Sequence, residues 1–303
     1  MNVRPVIVDC DPGIDDALAL MLAAASPELR LLGVTTVAGN VSLALTAPNA
    51  RRILDLAGAT SVPVHAGCAR PIARPDMRSD GVHGSNGLGG VVLPVEGRLE
   101  TMHAVDYLAD ALLQEPPGTI TVIAVGPLTN LAMLEVRHPG TLRRARDLLV
   151  MGGAAFRPGN VTPHAEFNFH CDPVAAHVVL QAGAPLTLFG LDVTEQAVMS
   201  PAWIASLPAA GSRSAQAAHA MLTGDARREP LLHDACPVAF AIDPSLFEGV
   251  DQALSVDWRS EGTEGRLHAV RATPGAPGVA RLITHVDSER MMELVRQRLA
   301  RLP

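Results

Sequence analysis

Residues 5–16 read Pro-Val-Ile-Val-Asp9-Cys-Asp11-Pro-Gly-Ile-Asp15-Asp16, a short β-branched run followed by four carboxylates within eight residues. Residues 5–9 read as a buried strand, and the apolar residues 14–25 as a buried helix. Pro12 presets φ for a helix start and Gly13 permits a tight backbone approach. Asp15 and Asp16 then fall in the first helical turn, where the macrodipole favours negative charge. That preference covers one or two acids, because a helix N-terminus offers only about half a positive charge. Four acids with no basic residue between Arg4 and Arg30 repel one another and raise one another's pKa unless a cation neutralises them. With oxygen ligands nearby and no Cys or His spacing, the expected ion is hard, Ca²⁺ or Mg²⁺, rather than zinc.

Outward from this stretch, strands are expected at 31–37, 62–66, 119–125, 147–151 and 186–189. Helices are expected at 43–57, 102–113, 128–137 and 173–182. Right-handed crossovers turn that β-α order into a mainly parallel sheet with ligands at the carboxyl ends of its strands. The last third reads differently: helical over 202–221 and 231–242, extended near 253–258, 267–271 and 280–285, and closed by an amphipathic helix from Ser288. Hydrophobic residues make up 48% and aromatics 3%, so the core is built from Ala, Val, Leu and Ile, as suits a parallel sheet covered by helices on both faces. No linker, repeat or low-complexity tract divides the 303 residues, and a single α/β domain over 1–303 is expected. Residues 67–98 and 152–171 are long irregular stretches rich in Gly, Pro and His, which in a compact domain are usually functional.

All 24 basic residues are Arg, which removes Schiff-base, P-loop and Ser-Lys chemistry. The missing lysine and the Pro-Gly-Ile-Asp-Asp continuation also count against a haloacid-dehalogenase-type phosphatase, the alternative that likewise places Asp-x-Asp after its first strand. A formal charge of −7 argues against a nucleic-acid backbone binder. Arg143, Arg144 and Arg146 read as a solvated helix face. Four dispersed cysteines, no C-x-x-C spacing, no export signal and no apolar run of bilayer length give the expectation of a reduced, cytoplasmic chain that binds no membrane.

The string from Asp9 to Asp16 resembles the signature of the inosine/uridine-preferring nucleoside hydrolase family. Further matches follow in the family's order: Ala38-Gly39-Asn40, His83-Gly84, Gly126-Pro127-Leu128-Thr129-Asn130, Met151-Gly152-Gly153, Glu166-Phe167-Asn168 before Asp172-Pro173, and His233-Asp234. The resemblance implies the nucleoside hydrolase fold with its Rossmann-like core. It also implies Ca²⁺-dependent hydrolysis of the N-glycosidic bond of ribonucleosides, in nucleoside salvage, by a homodimer or homotetramer.

By that resemblance Ca²⁺ is held by Asp11, Asp16, Asp234 and the backbone carbonyl of Val125, with the ribose hydroxyls completing the shell. Asp11 is also the general base for the attacking water. Asp15, Asn40 and Asn168 hold the 2′- and 3′-hydroxyls, Asn160 and Glu166 reach the 5′-hydroxyl, and Met151 packs beneath the ring. His233 is expected to protonate the leaving base and His83 to lie over it. A member that keeps the ribose and calcium pocket but only binds is the non-enzymatic alternative. The departure from the family is in base recognition: residues 205–232 contain no Phe, Tyr or Trp, leaving Trp203 and Phe167 as the nearest stacking candidates. His219, like His65 and the other unpatterned histidines, is expected to be structural or exposed.

Overall fold

The computed structural model describes residues 3–74, 81–224, 230–272 and 279–303. Among these residues, nine strands form one sheet. Its first half is a β-α alternation: β1 (Arg4–Cys10), α1 (Ile14–Ala24), β2 (Leu29–Thr36), α2 (Leu43–Leu56), β3 (Val64–Ala66), α3 (Ala104–Gln114), β4 (Thr121–Ala124), α4 (Thr129–Arg137) and β5 (Asp147–Met151). There follow α5 (Phe167–Cys171), α6 (Pro173–Gln181), β6 (Leu186–Phe189), α7 (Leu191–Thr194), α8 (Pro201–Ser206), α9 (Arg213–Thr223) and α10 (Ala235–Ile242). The chain closes with β7 (Phe247–Val256), β8 (Leu267–Arg271), β9 (Val279–Val286) and α11 (Ser288–Leu299). The order across the sheet is β3-β2-β1-β4-β5-β6-β9-β7-β8, with β1 to β6 and β9 parallel and β7 antiparallel to both its neighbours. The expected α/β architecture with a mainly parallel, Rossmann-like core is therefore what the chain forms.

Alternate residues of each central strand enter separate cores, as the period of two requires. Val6, Val8, Ile123 and Leu149 pack with α1, α2, α10 and α11 on one face. Ile7, Val122, Leu148 and Val150 pack with α3, α4 and α6 on the other. Strand order reverses between β1 and β4, so their connections diverge there and leave a crevice beyond their carboxyl ends. The acidic cluster follows β1 directly at this point.

Several boundaries differ from the sequence reading. The helix expected over 202–221 is two, α8 and α9, separated by a 3₁₀ turn at Leu207–Ala210 and by Gly211 at φ +77°. The helix expected from 231 begins at Ala235, because Leu231 bridges Val198 and the Leu232 N–H donates to the Ala197 carbonyl at 2.9 Å. The irregular stretch 152–171 ends in α5, and β7 starts at Phe247 rather than near 253. Arg143 and Arg144 are not a merely solvated face: their guanidiniums donate to the carbonyls of Ala182, Leu112, Leu113 and Glu115, closing two helix ends. Residues 75–80, within the first long stretch, and 225–229, within the polar turn after α9, lie outside the described residues.

The end of the first long stretch, at Glu96 and Gly97, is held by a buried ion pair. Arg51 Nε lies 2.8 Å from Asp55 Oδ1, and Asp55 Oδ2 accepts from the Glu96 and Gly97 N–H groups at 2.8 and 2.9 Å. Arg51→Ala strands the Asp55 charge in a buried site, so a loss of about 3–5 kcal/mol in unfolding free energy is expected. Denaturant titration checks this, and a change under about 1 kcal/mol would place the pair with weak surface bridges.

Candidate active site

The crevice opens into a cavity of about 770 Å³. Asp15, Asn40, His83, Val125, Met151, Asn160, Glu166, Asn168, His233 and Asp234 all line it, although they come from segments spread over more than 200 residues. Asp11 and Asp16 lie just beneath, both buried, and touch the cavity wall through Asn40. The Asn40 N–H donates to Asp11 Oδ2 at 2.7 Å, and its Nδ2 donates to Asp16 Oδ2 at 3.0 Å. Asp16 also accepts from the Asp11 and Gly13 N–H groups at 3.0 and 2.9 Å, closing the start of α1 as a third-position acid does.

Asp11 is confined on two sides by glycine. A Cβ at Gly39 would lie 1.8 Å from Asp11 Oδ2, and one at Gly126 would lie 2.5 Å from Oδ1. Asp9 faces away from the cavity, accepting from the Thr35 hydroxyl at 2.5 Å and from Asn130 Nδ2 at 2.8 Å. Asn130 also bonds the Thr36 carbonyl and the Cys68 N–H. The Gly-Pro-Leu-Thr-Asn motif thus ties β1, β2 and the loop after β3 together.

Single oxygens of Asp15, Asp16 and Asp234 lie within 4.8 Å of one another. Asp11 is not in that trio, but its charge acts on Asp234 and it feels Asp16 and Asp15. Burial and then the Asp15 charge push Asp16 up to about 6, while burial and the neighbouring carboxylates hold Asp11 and Asp234 well above the usual carboxylate range. Burial lifts Asp9 to about 7 against the hydrogen bonds from Thr35 and Asn130. Asp15 Oδ1 is buried without a hydrogen bond; its ion-pair contact is His83 Nε2 at 3.9 Å. An all-oxygen set that repels itself and holds an unsatisfied buried carboxylate oxygen suits a hard divalent cation.

Around this centre, His83 Nδ1 accepts from the Ile14 N–H at 3.0 Å, so the neutral ring carries its proton on Nε2, towards Asp15. Asn168 Nδ2 donates to the Val125 carbonyl at 2.8 Å and reaches Met151 Sδ at 3.3 Å. Glu166, buried, caps α5: its carboxylate accepts from the Gly153, Asn168 and Phe169 N–H groups. Burial raises its pKa despite those bonds. Asn160 Oδ1 accepts from the Phe167 N–H at 3.0 Å. His233 Nδ1 lies 2.8 Å from Thr194 Oγ1.

The far half of the cavity is aliphatic and thioether, with Val198, Met199, Ile204, Met221, Leu222 and Leu231. Phe167 lines the cavity, but Trp203 does not: its indole donates to the Met292 carbonyl at 2.9 Å and packs into the core. His219, expected to be structural or exposed, instead lines this half, because α9 turns that face inwards. Thr194 and Asp192 carried no sequence signal. Asp192 accepts from the Ala155 and Phe156 N–H groups at 2.8 and 2.7 Å, a contact across more than 30 residues that no local spacing shows.

The cavity, its acidic floor and its polar wall belong to a recognisable class of hydrolase. The family model described as inosine-uridine preferring nucleoside hydrolase matches residues 6–293. An inosine-uridine preferring nucleoside hydrolase of Leishmania major is 40% identical over 80% of both chains. A pyrimidine-specific ribonucleoside hydrolase, RihA, of a Shewanella species is 38% identical over 98% of this chain and 96% of its own. Among solved structures, a plant nucleoside hydrolase superposes with TM-score 0.91 at 30% identity, covering 98% of this chain and 99% of the other. A purine-preferring ribonucleoside hydrolase from Gardnerella vaginalis gives TM-score 0.91 at 28% identity, covering 98% of each. The chain belongs to the inosine-uridine preferring nucleoside hydrolase family and is a ribonucleoside N-ribohydrolase. The phosphatase alternative is not favoured.

Two outcomes test this geometry. Gly39→Ala drives a methyl group into Asp11, and a displacement of that size is expected to cost about 100-fold or more in turnover with the fold retained. Unchanged turnover would mean that Asp11 tolerates movement. The second concerns pH. Folded-state pKa values of about 6 for Asp16 and about 7 for Asp9 lie above the unfolded value, so the folded chain holds extra protons between about pH 4 and pH 7. Their contribution to stability is present below about pH 4 and is lost as pH rises through 6 to 7. A cation at the cluster offsets that loss, so the rise in Tm on adding Ca²⁺ to chelated protein should be larger near pH 8 than near pH 5. An equal or inverted pH trend would count against cation binding at these carboxylates.

Proposed function

We propose that the chain is a Ca²⁺-dependent nucleoside hydrolase that reads the ribose on its acidic wall and releases the base from its aliphatic half. The observation that carries this is the two-sided cavity: buried carboxylates and amides at one end, an apolar chamber at the other, and His233 at its wall. Asp11, Asp16, Asp234 and the Val125 carbonyl would hold the cation, with Asp15, which closes on Asp16 and Asp234, as a neighbouring oxygen donor. When bound, the cation supplies Lewis acidity for water and a template for vicinal hydroxyls.

Asp11 then takes the proton of the attacking water. Its two oxygens are held by the Asn40 N–H and by the glycine walls, so its orientation is set before substrate arrives. Asp15, Asn40 and Asn168 bind the 2′- and 3′-hydroxyls. The amide hydrogens of Asn168 are committed to Val125 and Met151, which turns its carbonyl oxygen to the substrate. Asn160 and Glu166 bind the 5′-hydroxyl, and Met151 packs beneath the sugar. Positive charge that develops on the ribose ring is stabilised by the surrounding carboxylates and amide oxygens. His233 gives its proton to the departing base, and His83, hydrogen-bonded to the start of α1, sits over it.

The base half presents dispersion contacts rather than stacking rings, and the relatives' names span pyrimidine-specific, purine-preferring and mixed specificities. The same reading makes 1–303 one domain and the protein a cytoplasmic homodimer or homotetramer in nucleoside salvage. No helix among the described residues is long and apolar enough to cross a membrane.

Release of reducing sugar from a panel of ribonucleosides, with Ca²⁺ and then with chelator, tests the reading. Cleavage should require the metal, fall by about 10⁴-fold or more for 2′-deoxynucleosides whose absent hydroxyl leaves buried polar groups unpaired, and vanish in Asp11→Asn with the fold intact. Stabilisation by ribose and Ca²⁺ without base release would favour the binding-only reading.

A further inference from the structure

The short helix α7 carries a residue that the mechanism above does not use. Thr194 is fully buried, and its Oγ1 lies 2.8 Å from His233 Nδ1. No other hydrogen-bond partner of that hydroxyl is present among the described residues, so a buried polar group is committed to this one imidazole. The backbone on either side is fixed independently. The Leu191 N–H donates to the Gly153 carbonyl at 2.9 Å, Asp192 holds the Ala155 and Phe156 N–H groups, and residues 197–199 pair with 230–232 directly before His233. Thus α7 joins the loop that carries the ribose-reading groups to the residue placed against the leaving base.

We propose that Thr194 is a positioning residue for His233, holding the imidazole edge so that Nε2 is the nitrogen presented to the base. The inference rests on the reading of His233 as the leaving-group acid. The Thr194 oxygen can accept from Nδ1–H in both the imidazolium and the neutral ring that follows from it. As the C1′–N bond breaks, its electron pair stays with the base and the Nε2 proton of the imidazolium moves to it. The ring becomes neutral while Nδ1–H stays on Thr194. The contact therefore survives the transfer, and the ring keeps its orientation throughout.

The test compares Thr194→Val, Thr194→Ser and His233→Ala on a ribonucleoside and on p-nitrophenyl riboside, whose leaving group departs without protonation. Thr194→Val should lower kcat for the ribonucleoside by about 10–100-fold, as loss of a positioning partner does, with KM within about twofold. It should leave p-nitrophenyl riboside cleavage unchanged, and Thr194→Ser should recover most of the loss. An equal fall on both substrates, or no recovery by serine, would reduce Thr194 to a packing role and overturn the proposal. A selective loss in His233→Ala but none in Thr194→Val overturns it while leaving His233 as the acid. No selective loss in His233→Ala removes the reading of His233 itself and the proposal with it.

Discussion

The whole arrangement depends on forcing like charges together where water is excluded. Asp11, Asp16 and Asp234 are each almost wholly buried, Asp15 faces them, and no Arg pairs with any of them among the described residues. Such a cluster opposes folding unless protons or a cation offset it. Its position explains how the chain sustains it. The carboxylates sit at the switch point between β1 and β4, where the N–H groups of Asp11 and Gly13, just ahead of α1, donate to Asp16 and the Asn40 N–H meets Asp11. The sheet provides a rigid frame for the repulsion, and backbone donors offset part of it.

From that floor the site is built by committing polar groups to each other before any substrate is present. Glu166 caps α5, which aims Asn168; Asn168 in turn holds the Val125 carbonyl. Asp192 holds the loop leading to Asn160, and Asn130 binds strand ends together from behind. Side chains at the polar end of the cavity are therefore oriented by others, some of which line it, as Glu166 does, and some of which lie behind it, as Asp192 and Asn130 do. On the proposed mechanism, preorganisation of this kind lowers the reorganisation needed when charge develops on the sugar.

Much of this was legible in the sequence, for physical reasons. Strands β1, β4, β5 and β6 are buried on both faces and so read as continuous apolar runs, and the acids after β1 stood out because no cation lay near them in the chain. Strand β7 was misread at its start because a register shift between Glu248 and Gly249 breaks its alternation and much of it is half-exposed. Helix α5 is a single turn defined by its Glu166 cap rather than by periodicity, and the long helix expected after Ala202 fails at Pro208 and Gly211. Contacts such as Thr194 with His233 join residues 39 apart through the tertiary fold, and no spacing rule reports them.

The two ends of the cavity are constructed on different principles, and that division has a chemical consequence. The polar end, to which the proposed function assigns the ribose, is made of residues at strand ends or in loops pinned by several hydrogen bonds, so it fixes a pattern of donors and acceptors that one added methyl group, as at Gly39, would disturb. The base end is made from 198–205 and from α9 and residues 230–231, where aliphatic and thioether side chains meet the cavity with Phe167 at its margin. Methionine is flexible and polarizable, and fits differently shaped flat partners by changing rotamer. On the proposed reading, recognition of the sugar is thus built into the fold, whereas recognition of the base rests on contacts that adapt in shape and make few directional demands. His219 is the titratable side chain in that half, with a ring that makes no hydrogen bond among the described residues. On the proposed reading a base held there meets His219, with His83 over it and His233 at its edge, against a largely apolar wall, so selectivity among bases follows from shape more than from a hydrogen-bond code.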